Sequence, residues 1–82
     1  MYKMIKATTH EGKDKLPDIA AIHSLEGKLH WIPDTNYPFF FAYNDSSGKM
    51  MRSSVVQEIN TVDNQIRFRT RNTEYWFEKM EV

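Results

Sequence analysis

The sequence predicts an all-β domain: a small barrel of SH3-like dimensions or a two-layer meander of about five to seven short antiparallel strands, with one short helix as an option over residues 18–26. Turn-forming residues recur about every eight to twelve positions, which is the spacing of a meander. The segments between them are apolar or alternate with the period of a strand. A chain of 82 residues has room for a single core, so residues 1–82 are taken as one domain.

Tyr2 to Thr8, with Met4, Ile5 and Ala7, reads as the first strand, and charged His10 to Asp18, with Gly12 and Pro17, as a loop. Residues 19–32 have two readings. In the preferred one, Glu26-Gly27 is a hairpin loop between strands 19–25 and 28–32. In the other, Asp18 caps a short helix carrying Ile19, Ile22 and Leu25 on one side, and Gly27 stops it. Pro33 to Asn36 is a turn by composition, and Tyr37 to Tyr43 is the most aromatic strand. Asn44 to Gly48 is a loop, Lys49 to Ile59 a longer strand bulged near Ser53-Ser54, and Asn60 to Asp63 the turn that follows.

Residues Asn64 to Lys79 assign their own faces. Ile66, Phe68 and Thr70 alternate with Arg67, Arg69 and Arg71, and Tyr75 and Phe77 with Trp76 and Glu78. One face is therefore buried, and the arginines and Trp76 project from the other. A two-residue loop at Asn72-Thr73 sets Arg71 opposite Glu74, Arg69 opposite Trp76 and Arg67 opposite Glu78.

Composition narrows the function classes. The net charge is zero, and each half of the chain is balanced, which argues against a dominant nucleic-acid or membrane field. All four arginines nevertheless lie in the second half. Without cysteine there is neither a disulfide framework nor a thiolate metal site, and the composition fits the cytoplasm. No apolar run is long enough for a transmembrane helix, and no signal-peptide core opens the chain. His23 falls opposite His30 in the hairpin reading, but two imidazoles without a third ligand do not make a metal site. No nucleophile elbow or phosphate-cradling glycine loop is present. The expectation is a protein that is not an enzyme and needs no cofactor or metal.

The binding candidates are Arg67, Arg69, Arg71 and Trp76, together with Phe40, which gives its strand a second apolar face. Tyr37, Phe39, Phe41 and Tyr43 share the opposite face, where they are core or a stacking platform for single-stranded nucleic acid. The stretch Met51-Arg52-Ser53-Ser54-Val55-Val56-Gln57-Glu58-Ile59, followed by Gln65 to Phe77, resembles the C-terminal half of short uncharacterised proteins from phages and prophage regions. Their pattern is an arginine-serine strand, an alternating strand ending in Thr-x-Asn, and an aromatic closing strand. That resemblance implies a small protein that binds a host or phage macromolecule, with no catalytic residues to carry over.

The expected function is therefore a small non-catalytic binding module for a protein partner, using the outer face of the C-terminal hairpin or Phe40. The alternatives are a nucleic-acid-binding barrel and a self-associating structural or assembly subunit of a virion.

Overall fold

The computed structural model describes residues 1–80. Among these residues seven antiparallel strands form one sheet: β1 (Tyr2–Thr9), β2 (Glu26–His30), β3 (Phe40–Tyr43), β4 (Met50–Arg52), β5 (Val56–Val62), β6 (Gln65–Thr70) and β7 (Thr73–Lys79), with one helical turn, α1 (Leu16–Ala20), after β1. Their order is β4-β3-β2-β1-β7-β6-β5, so β1 is central and each arm of the sheet is a meander. The chain leaves one edge at Arg52 and enters the other at Val56, and the residues between them span at most about 14 Å. The sheet must therefore curl until its two edges approach.

Residues 36–39 span the gap between those edges. The Asn36 N–H donates to the Val56 carbonyl (2.8 Å) and the Val56 N–H to the Tyr37 carbonyl (3.0 Å). The Ser53 N–H donates to the Phe39 carbonyl (3.0 Å), while the Phe39 N–H donates to Ser53 Oγ (2.9 Å). Phe39 thus bonds to the β4–β5 connection through both of its backbone groups. Its ring lies inside, 4.7 Å from Phe68, 5.1 Å from Tyr75 and 5.4 Å from Phe77 between centroids. Met4, Ala7, Leu29, Phe41, Val56 and Ile66 complete the buried core. Met4 and Ala7 both face inward although three positions apart, because a register shift between Met4 and Lys6 inserts an extra residue.

Several sequence-derived boundaries are corrected. The 19–25/28–32 hairpin does not form. The helical alternative holds in a shorter form, beginning before Asp18 with Pro17 in its first turn and the Leu16 N–H bonded to Asp14 Oδ1 (2.9 Å). Gly27 neither turns the chain nor stops the helix. It lies inside β2, where a Cβ would overlap the Ala42 carbonyl oxygen and press on the Phe41 ring. The aromatic strand starts at Phe40 rather than Tyr37, because Pro38 has no N–H to give a ladder and Tyr37 is left exposed. The long strand 49–59 is two strands, broken where Ser53 turns back to Phe39. The turn expected at 60–63 lies at Asp63-Asn64, where Asp63 takes the positive φ (54°) that primed hairpin loops require.

Because backbone fills the space beside Gly27, Gly27→Ala is expected to cost about 1–3 kcal/mol of stability. Urea unfolding should show a lowered midpoint with an unchanged slope; an unaltered midpoint contradicts the close approach of β2 to β3.

Candidate functional site

The outer face of β1, β7, β6 and β5 carries the candidate residues in rows set by strand register. One row runs Lys6, Trp76, Arg67, Asn60, and the next Thr8, Glu74, Arg69, Glu58. The face assignment of the closing hairpin is as the sequence predicts: Ile66, Phe68, Thr70 and Phe77 are buried, and Arg69 and Arg71 are exposed.

The register of that hairpin is not the predicted one. Phe68 faces Tyr75, Arg67 faces Trp76 and Arg69 faces Glu74, a displacement of two residues that places the loop at Arg71-Asn72. The buried threonines on either side of the loop explain it. The Thr70 hydroxyl donates to the Thr73 carbonyl (2.9 Å) and accepts from the Thr73 N–H (3.3 Å). Lys15 Nζ donates to Thr73 Oγ1 (2.9 Å), and His10 Nε2 to the Thr70 carbonyl (2.9 Å), so the loop is also held from the β1–α1 connection.

With this register the predicted pairs give way to others. Arg67 Nη2 lies 3.2 Å from Glu58 Oε1 and Nη1 lies 3.4 Å from Glu74 Oε1, both diagonal to it on the neighbouring strands. Asn60 Nδ2 donates to the same Glu58 oxygen (3.1 Å). Arg67 takes both carboxylates that flank Arg69, and Arg69 makes no ion pair among the described residues. Partly exposed pairs of this kind each contribute on the order of 0.2–1 kcal/mol, so their main effect is to fix the guanidinium in place.

Trp76 is neither bare nor buried under its own chain. The residue is partly buried, and Lys6 Nζ lies over its indole, 4.8 Å from the ring centroid. Lys6, Glu58 and Asn60 belong to this surface but were missed in the sequence reading. Each reaches it from a strand whose place in the sheet no local pattern specifies.

Arg71 lies apart in the hairpin loop, beside His10, Lys15 and Asn72 at a polar cleft. Phe40 lies on the other arm, separated from β7 by β2 and β1, with its ring under the Arg52 guanidinium at 5.9 Å. The five candidates therefore do not form one site. Trp76, Arg67 and Arg69 are together, whereas Arg71 and Phe40 stand elsewhere. The stacking platform is also corrected, since Phe39 and Phe41 are fully buried core rings.

His23 and His30 are not cross-strand partners, because His30 pairs with Phe40 and His23 follows α1. The His23 ring stacks on Tyr43 (4.1 Å between centroids, 10° between planes), with Nδ1 3.4 Å from Asp45 Oδ2. Among the described residues, no group of three or more His, Cys, Asp or Glu side chains is arranged to hold a metal, and no helix is long and apolar enough to cross a membrane. Burial raises the Tyr43 and Tyr75 hydroxyls above the usual phenol range, so neither serves as a base near neutral pH. Of the two arginines in these rows, Arg69 makes no ion pair among the described residues, one row away from the partly covered indole and with its cross-strand carboxylates already engaged by Arg67. Compared with known protein families, curated proteins and solved structures, the chain matches none.

Asp45 ties the 44–48 loop to the segment after α1. Its carboxylate accepts from the Ser47 hydroxyl and N–H and from the Ser24 N–H, and these bonds lower its pKa from 3.8 to about 2. A lowered folded pKa means the tie is complete above 3.8 and is lost as pH falls through about 2. A carbon NMR titration of the Asp45 carboxyl is expected to show a midpoint near 2; a midpoint at the ordinary value contradicts the tie.

Proposed function

We propose that this chain is a small non-catalytic protein-binding domain whose contact surface is centred on Trp76 and Arg69. The observation that carries the reading is the contrast between neighbouring arginines: Arg67 is spent on Glu58 and Glu74, while Arg69, exposed in the adjacent row, makes no ion pair among the described residues. Tryptophan and arginine are the side chains that dominate interface energetics. The Trp76 indole, already held under Lys6, loses little freedom on binding, which favours affinity. The matching partner presents a carboxylate to Arg69 and an apolar side chain to Trp76.

A protein surface suits this face better than a polyanion does. The rows mix Lys3, Lys6, Arg67 and Arg69 with Glu58, Glu74 and Glu78, so no strong positive field steers a nucleic acid. The extents of 31 × 27 × 21 Å suit an SH3-like module. The resemblance of residues 51–59 and 65–77 to phage and prophage proteins supports a host or phage protein as partner, in the cytoplasm, which a cysteine-free composition fits.

The test is capture from cell extract by the immobilised full chain, compared with Trp76→Ala, Arg69→Glu and, as control, Arg71→Glu. A specific partner should be held by wild type and by the control, and lost about tenfold or more with either of the first two. Equal capture by wild type and by well-folded Trp76→Ala overturns the assignment.

A further inference from the structure

The β5 edge of the sheet is open along most of its length. Val56 spends both outward backbone groups on residues 36–37, and a register irregularity follows between Val56 and Glu58. Beyond it the antiparallel ladder alternates. Glu58, Asn60 and Val62 pair with Arg69, Arg67 and Gln65, leaving the N–H and C=O groups of Ile59 and Thr61 pointing away from β6. Among the described residues no backbone group bonds to them. Edge strands are usually blunted by lysine, proline or extreme shortness. Val56-Gln57-Glu58-Ile59-Asn60-Thr61-Val62 has seven residues and neither lysine nor proline. Its single charge, Glu58, is turned to Arg67 and Asn60.

We propose that β5 pairs edge to edge with β5 of a second copy of this chain, antiparallel, about a two-fold axis at Asn60. This pairing matches the open groups of both Ile59 and Thr61. Ile59 meets Thr61 of the second copy and Thr61 meets its Ile59, each pair exchanging both hydrogen bonds. Asn60 faces its own counterpart, an amide pair able to donate and accept. The aliphatic stem of Glu58 faces Val62 of the second copy, a residue 67% exposed in the single chain. No like charges are opposed, and a chain of zero net charge carries no overall repulsion against itself.

A register centred on Ile59 instead drives Val62 of the second copy toward residues 36–37, where Val56 is already engaged. Self-complementarity in the register that pairs both open residues favours a second copy over a foreign peptide. The axis at Asn60 continues the row Lys6, Trp76, Arg67, Asn60 into the second copy, so both copies present Trp76 on one extended surface.

A contact confined to one strand is small, so association is micromolar or weaker. Sedimentation equilibrium of the full chain should show a monomer and dimer whose ratio changes with concentration. Asn60→Lys sets two lysines opposite each other and should raise the dissociation constant roughly fivefold. An equimolar mixture of Asn60→Lys and Asn60→Asp should restore association. Thr61→Pro removes an outward N–H without touching the β6 ladder and should abolish it. Trp76→Ala should leave it unchanged, which separates this contact from the surface proposed above. A wild-type monomer at millimolar concentration overturns the proposal, as does wild-type association in well-folded Asn60→Lys and Thr61→Pro, or its loss in Trp76→Ala.

Discussion

The fold depends on how Phe39 closes the curled sheet. The connection between β4 and β5 is too short to cross an open sheet, so the two arms must come together, and Phe39 occupies the place where they do. Its N–H and C=O hold Ser53, and its ring packs on Phe68, Tyr75 and Phe77 of the opposite arm. An aromatic ring buries a large area for one residue, which matters in a domain with so few core positions. Pro38 suits the same place, since a proline has no N–H to seek a ladder partner and starts no edge strand.

Curling also decides what the outer face can do. With β1 at the centre, its irregularity between Met4 and Lys6 turns Met4 and Ala7 inward and sets Lys6 beside Trp76. The twist of the sheet favours diagonal neighbours, and Arg67 reaches Glu58 and Glu74 instead of the residues directly opposite. That Arg69 makes no ion pair among the described residues is thus a consequence of register and twist. Core packing on one side and the charged, aromatic outer surface on the other share the same strands, because successive residues alternate between them.

The all-β class, the short strands and the buried faces were legible in the sequence because a strand's period of two is local. The register of the closing hairpin was not. A one-residue slip would have exposed Ile66 and Phe68 and so betrays itself, but a two-residue slip keeps every side chain on its face and changes only the partners. What chose between the two was the Thr70 hydroxyl, a local bond inside a turn that composition alone placed at Asn72-Thr73. Gly27 misled for a related reason: turn and strand glycines look alike until the neighbouring backbone is known. Trp76 is legible as an outward-facing candidate, but its cover comes from Lys6, seventy positions earlier in the chain.

If Phe39 joins the two arms, they open together. Native-state amide hydrogen exchange of the whole chain tests this most directly. The slowest amides of β3 on one arm and of β6 on the other should exchange at the same free energy, that of global unfolding. Protection in one arm lower than in the other by more than about 1 kcal/mol would show that the arms separate before the domain unfolds, and that Phe39 does not hold them as one unit.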